Sequence, residues 1–378
     1  MTTNSSFASA PTQFSFDFSM ERALEKIENI DPVRYASTRN FHNGSITKLS
    51  PFISRGMIST VQIVESLRDR GFSFEDCEKL ISELAWRDYW QSQWNLLGDG
   101  IDQDIKHAPL RMTHREISSS IVFGQTGIKE IDASIRELME TGYVHNHMRM
   151  YIASLACHFG GAHWHNPAQW MYFYLIDGDW ASNALSWQWV AGSSRNKTYF
   201  FNQENLNKYW KSYQTQTFLD KSYEELEDAE IPNELSETAS WKMESSLPSS
   251  QTLPKDDGRP VVIYTTYNLD PHWLSDVDAH RIFLWEPSHF AQYPVANTVV
   301  NHFLEAAKNL DQHSVYVGEF EELKSHFSGD IHFKRHPFSK HFRGISHEFD
   351  RLHSSAKNHR SFFSFWKEAQ PHIRSLWK

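Results

Sequence analysis

Cysteine is nearly absent: Cys77 and Cys157 are the two in 378 residues, far apart and outside any metal-ligand spacing. That excludes a disulfide framework and suits a reducing compartment, with the cytosol (a cytoplasmic protein) as the default. No apolar run is long enough to span a bilayer, so no membrane partner is expected. The start, "MTTNSSFASAPTQFSFDFSM", has neither the basic residues nor the apolar stretch of a secretory signal, and residues 1–19 are expected to form a disordered tail. Glycine, at 16 residues, nowhere forms a phosphate-cradling loop, and no internal repeat is present. Metal-ligand patterns are missing as well. His145 with His147, and His163 with His165, stand two residues apart, which on a helix points the rings to different faces, and no acid or thiol stands at ligand spacing.

Basic charge is short overall, with a net charge of −10. Its distribution matters more than its sum. Met20 to Thr215 holds 20 Lys and Arg against 22 Asp and Glu, whereas residues 216–258 hold 3 against 11. From Lys334 to Lys378 the count is 10 basic against 3 acidic, a basic end that permits contact with a polyanion without requiring it.

What the chain does have is aromatic residues, 14% of the total, set in two patterns. Residues 20–215 repeat apolar positions at three and four residues, as in "IDASIRELMETGYVHNHMRMYIASLACHF", where Ile131, Ile135, Leu138 and Met139 share a face, so this half reads as helical. Residues 216–258 are acidic and rich in Ser and Pro, a linker or an extended strap. Residues 259–378 turn to short apolar runs, "VVIYTTYNL", "RIFLWEP" and "SVYVG", the last two flanking a helical stretch "VANTVVNHFLEAAKNL". That alternation predicts a small α/β (Rossmann-like) domain, and the fold class is mostly α, an all-helical domain followed by a smaller α/β one.

The helical half carries polar stripes unlike those of an ordinary core. In "LIDGDWASNALSWQWVAG", Asp179 can cap the helix that follows, and Asp179, Asn183 and Trp187 lie one above another at i, i+4 and i+8. On residues alone this is either a cap followed by a satisfied core Asn and Trp, or a pocket for a large planar heterocycle that needs hydrogen bonds at its edge. "TGYVHNHMRMYIASL" places Asn146, Arg149 and Met150 on one face, where a buried Arg149 needs a carboxylate such as Asp177. "LISELAWRDYW" puts Glu83, Trp86, Arg87 and Trp90 on another.

These segments resemble the photolyase/cryptochrome flavoprotein family, and in the family's order. "RYASTRN" with "SITKLSPFISRGMIS" looks like the phosphate-embracing segment, "ELAWRDYW" like the helix at the DNA-facing mouth, "TGYVHNHMRM" like the helix beneath the flavin, and "LIDGDWASNALSWQW" like the ring-holding segment. The resemblance implies FAD bound in a helical bundle. Tyr35, Thr47, Lys48, Leu49 and Ser50 would hold its phosphates and ribityl chain, with a lysine at Lys48 where the family commonly has arginine, which keeps the charge and loses the fork. Arg87, Asn146, Arg149, Asp177, Gly178, Asp179 and Asn183 complete the implied cofactor set, Asn183 facing the ring nitrogen that gains a proton on reduction. Positions matching Glu83, Trp86, Asn146, Met150 and Trp189 form the lesion pocket in members that repair cyclobutane pyrimidine dimers, and Arg39, Trp90 and His147 join them on the DNA-facing side. Histidines stand at Asn146 and Met150 in members acting on the (6-4) lesion, which disfavours that substrate.

The implied activity is blue-light-driven repair of dimer-containing DNA, with Glu83, Asn183, Trp187 and Trp164 as catalytic residues. The alternative is a cryptochrome-like receptor without repair, and a third is a relative that has lost FAD. Two departures matter. Tyr143 stands where the family usually has a tryptophan, and Trp187 and Trp164 match the flavin-proximal and middle members of the photoreduction chain, whose outermost member should fall near "PLRMTHR", which has no tryptophan. The α/β segment follows the helical domain, whereas the family's antenna domain precedes it. It is read as a permuted counterpart or an unrelated appendage, and whether an antenna chromophore binds is left open.

Overall fold

The computed structural model describes residues 16–195, 197–355 and 357–377. Helices α1 (Met20–Glu28), α2 (Pro32–Thr38), α3 (Thr60–Asp69), α4 (Phe74–Leu97), α5 (Lys129–Thr141), α6 (Asn146–Ser154), α7 (His165–Tyr174), α8 (Trp180–Ala191) and α9 (Gln203–Trp210) build the first half. Local chemistry sets their ends. Ser73 and Asp76 form a reciprocal capping box at the start of α4. Asp179 caps α8 through Ser182 N at 2.7 Å, and α8 stops at Gly192, whose φ of +82° few other residues adopt cheaply. Ile131, Ile135 and Leu138 of α5 are fully buried, as their spacing requires, with Met139 packed at the edge of the same core.

The second half contains β1 (Val261–Tyr264), β2 (His280–Trp285), α10 (Asn297–Ala307), β3 (His313–Val317), α11 (Phe320–His326), β4 (Ile331–Lys334), β5 (Ile345–His347) and α12 (Phe362–Ser375). The strands form one parallel sheet in the order β3-β2-β1-β4-β5, with Val261 opposite both His280 and Ile331. Sheet and helices together give the mostly helical fold with an appended α/β unit. Both faces of the sheet are covered, as a parallel sheet demands. Val262, Tyr264, Phe283 and Trp285 join the core of the helical half, while Val261, Ile263, Ile282 and Leu284 pack on Phe320 and Leu323 of α11.

Strand order reverses between β1 and β4, where doubly wound sheets open a ligand crevice. Here that crevice is narrowed to a cavity of about 80 Å³ lined by Asp270, Lys334 and His336: Tyr267 stacks on His336 with centroids 4.0 Å apart, and its hydroxyl meets that of Tyr172 at 3.0 Å. Arg55, fully buried, lies over Tyr267 and Phe303, and its carbonyl accepts from Leu269 N at 2.7 Å. The two halves are thereby pinned at the strand ends.

Two sequence expectations change. Residues 1–15 of the expected tail lie outside the described residues, but at its inner end Phe18 is buried against Phe52 and His302, because an aromatic this close to α1 gains more from burial than from solvent. Residues 216–258 take the strap form. Leu226 and Leu235 are buried, Thr238–Ala239 pair antiparallel with Ile117–Ser118, and Gln251 N donates to Val315 O at 2.8 Å beside β3.

Candidate functional site

Asp177 and Asp179 stand at the turn into α8, and each is held differently. Arg149 of α6 donates through one Nη to both oxygens of Asp177, at 2.8 and 3.1 Å, while its Nε donates to Val144 O at 3.0 Å. Asp177 is 2% exposed and Arg149 22%, so this is a largely desolvated pair with one open side. Asp179 accepts from Gln91 Nε2 and, at 3.5 Å, from Arg87 Nη2, both on α4. Arg87 also donates to Ser54 Oγ at 3.1 Å, and Ser54 Oγ donates to Asp177 O at 2.8 Å. One network therefore joins α4, α6, α8 and the short helix Ser50–Ser54. Gly178 sits at its centre, where a Cβ would come within 2.9 Å of Leu175 O and 3.2 Å of the Tyr172 ring.

Asn183, one turn into α8, donates to Ala168 O at 2.8 Å, and among the described residues its Oδ1 has no protein donor. That oxygen keeps some access to solvent and can accept from a bound ligand. Trp187 and Trp164 are buried nearby on α8 and at the start of α7.

The phosphate-embracing segment makes a different surface. Tyr35 and Thr47 line a cleft of about 270 Å³ together with Arg22, Lys26 and Ser45. Lys48 has φ of +52°, a left-handed conformation uncommon for a non-glycine residue and a recurrent mark of ligand-clasping backbone. Leu49 is buried, and Thr47 Oγ1 accepts from its N–H at 3.4 Å. Burial depresses the Lys26 ammonium, and the neighbouring Arg22 and Lys48 cations depress it further. Glu25 and Asp31 line the same cleft and Glu25 pairs with Arg22, so its charge is mixed, with Lys26 and the nearby Lys48 standing outside that pair and able to meet an anion. An FAD diphosphate fits this end, and the open Asn183 oxygen with the two aspartates fits the polar edge of a flavin ring.

Along α4, Glu83 faces Lys79 Nζ at 2.7 Å and Arg39 Nε at 3.7 Å and is one-third exposed. Trp86 touches Trp90 at 4.8 Å, and Trp189 carries Arg195 over its ring at 3.4 Å. Asn146 is exposed and Met150 half-buried. His147 departs from its expected DNA-facing place. Its Nδ1 lies 2.9 Å from Asn40 O and its Nε2 3.3 Å from Tyr199 OH, so the ring is an internal strut, and burial lowers its basicity. Tyr143, in the aromatic position that differs from the family, lies under Arg149 and Lys48, and burial pushes its phenol up to about 12.

Sequence reading missed Ser54 and Gln91, although Gln91 follows Arg87 at i+4 and so shares its face. It also missed Phe362. That residue, at the start of α12, stacks on Trp86 with centroids 3.8 Å apart and planes within 11°. No local signal links positions so far apart in sequence. Among the described residues no group of three His, Cys, Asp or Glu is placed to hold a metal, and no helix is long and apolar enough to cross a membrane.

Residues 80–265 match the model of the FAD binding domain of DNA photolyase. A deoxyribodipyrimidine photo-lyase of Alkalihalophilus pseudofirmus is 28% identical over 197 residues, covering 50% of this chain and 41% of that protein. A cryptochrome DASH of Natronomonas pharaonis is 33% identical over 169 residues, 42% of this chain and 35% of its own. Among solved structures, a bacterial class III photolyase from Agrobacterium tumefaciens is 26% identical over 50% of this chain and 42% of its own, with a TM-score of 0.41. The chain thus spans less than half the length of each of these relatives. Over residues 80–265, just under half of its length, the chain thus carries an FAD-binding domain of the photolyase/cryptochrome flavoprotein family.

Proposed function

We propose that the protein is a DNA photolyase that repairs cyclobutane pyrimidine dimers in blue light. The observation that carries this reading is the grouping on α4 of Glu83, held by Lys79 and Arg39, with the indole Trp86 one turn away. Reduced FAD, when bound, supplies the light-driven electron that splits the cyclobutane ring and takes it back afterwards. The chain's residues do the rest. Lys26 and Lys48 would bind the diphosphate. Arg149 would hold Asp177, and Arg87 and Gln91 would hold Asp179, for hydrogen bonds to the flavin ring, and the Asn183 oxygen would accept from it. Glu83 would accept from the edge of a pyrimidine flipped out of the duplex, with Trp86, Trp189 and Met150 packing against it and Asn146 at the rim.

The energetics favour a damaged base. Flipping costs a few kcal/mol, least for a lesion already unstacked, and each aromatic stack returns about 1–3 kcal/mol. Basic residues of the C-terminal segment would add phosphate contacts that salt screens.

The second reading, a blue-light receptor without repair, draws on Phe362, which covers one face of Trp86. Binding of one oligonucleotide with and without a thymine dimer, measured across a salt series, separates the two. A photolyase loses affinity for both as salt rises and keeps its preference for the dimer. Equal affinity at every salt concentration supports the receptor.

A further inference from the structure

We propose that the electron for flavin photoreduction comes from Tyr293 by way of Trp180, with the Asp102 carboxylate as the proton acceptor. This rests on the flavin cofactor and on light-driven electron transfer, not on repair.

The place expected for an outermost tryptophan is filled differently. Arg111, in "PLRMTHR", reaches into the acidic strap and donates to the carbonyls of Leu226 and Glu227 at 3.0 and 3.1 Å. A different aromatic line runs from Trp164. Its ring meets His165 at 5.3 Å, His165 meets Trp180 at 5.9 Å, and Trp180 meets Tyr293 at 5.3 Å. Trp180 is fully buried and Tyr293 is 5% exposed. Tyr293 belongs to the α/β half, beyond the residues that match the flavin-binding family model, so nothing in that match assigns it a role.

Carboxylates mark this line. Trp164 Nε1 donates to Asp104 at 2.7 Å, Trp180 Nε1 donates to Asp102 Oδ1 at 2.8 Å, and Tyr293 OH donates to Asp102 Oδ2 at 3.1 Å. Other buried indoles lack this: the N–H groups of Trp170 and Trp285 have no partner among the described residues. Oxidised tryptophan and tyrosine are strong acids, so a hydrogen-bonded base decides where the hole settles. Tyr172 also touches Trp180, at 5.4 Å, but its hydroxyl meets the Tyr267 hydroxyl, which is a poor proton acceptor. Asp102 is 18% exposed and can pass the proton to water.

The step balances as follows. Tyr293 gives one electron by way of Trp180 toward the light-excited oxidised flavin. Its O–H bond breaks and an O–H bond forms on Asp102, leaving a neutral phenoxyl radical, which an external thiol reduces by returning one electron and one proton.

The test uses the full chain loaded with FAD, without DNA, and reads the protein radical by electron paramagnetic resonance during illumination, normalised to bound flavin. Tyr293→Phe should abolish a tyrosyl signal present in the parent and lower photoreduced flavin roughly tenfold. Asp102→Asn, which keeps both rings, should do the same, since an amide is a far poorer proton acceptor than a carboxylate. Tyr172→Phe should leave the signal in place. A tyrosyl signal that survives in Tyr293→Phe, or photoreduction unchanged in both Tyr293→Phe and Asp102→Asn, overturns the assignment. Because no DNA is present, a protein that repairs nothing can still support it, and a repairing protein can still refute it.

Discussion

Replacing Asp88 by asparagine should stabilise the protein at neutral and alkaline pH. Asp88 is buried on α4, beneath the segment that leads into α12, and its Oδ2 accepts from Leu352 N at 2.8 Å. Burial lifts its carboxyl from an ordinary 3.8 to about 6, against the opposing pull of the Leu352 N–H and of Arg351 and Arg87. The folded state therefore holds the proton more tightly than the unfolded chain. Its contribution is fully present below about pH 4 and is lost as pH rises through about 6. At 1.36 kcal/mol per pH unit, the interval from 3.8 to about 6 amounts to about 3 kcal/mol of stability missing at pH 8. Asparagine carries no charge and keeps an oxygen for Leu352 N, though its amide N–H groups need partners, so a gain of about 1–3 kcal/mol is expected at pH 8 and little at pH 4. The assay is urea unfolding of both proteins from pH 4 to 8, read as the difference between them, which removes the other titrating groups. A difference that does not grow with pH between 4 and 7 refutes the reasoning.

Three further substitutions probe the site. Asp177→Asn should cost about 2–3 kcal/mol, less than the 3–5 of a fully buried pair because Arg149 is partly exposed, and adding Arg149→Met should recover part of it in a double-mutant cycle. Trp187→Phe should slow flavin photoreduction at constant bound flavin, and an unchanged rate removes Trp187 from the path. Phe362→Ala should cost about 3–5 kcal/mol as a large-to-small core change, and protease should then cut faster within 348–361; an unchanged cleavage rate means that the stack on Trp86 does not hold the segment down.

How much of this was legible in the sequence depended on how local the cause was. The cap at Asp179 and the α8 stripe through Asn183 and Trp187 could be read because spacing within one helix fixes them. The Arg149–Asp177 pair was anticipated because a cation on an apolar face needs a partner. Short strands were harder: Ile331–Lys334 is too brief, and Ile345–His347 too brief and too exposed, to announce themselves, and they are defined by pairing beside β1. His147 misled because its position on α6 says nothing of Asn40 and Tyr199, which turn the ring inward. Phe362 on Trp86 and Tyr293 on Trp180 arise where the α/β half meets the helical half, and no pattern in either half encodes that meeting.

The most direct measurement is repair of an oligonucleotide carrying one cyclobutane thymine dimer by FAD-loaded protein, chemically reduced beforehand, in blue light and in darkness. Prior reduction bypasses Trp187, Trp164, Trp180 and Tyr293 and isolates the pocket around Glu83 and Trp86. Repair in light and none in darkness is the expected result. Bound FAD with no repair in either condition contradicts the photolyase reading and leaves the receptor.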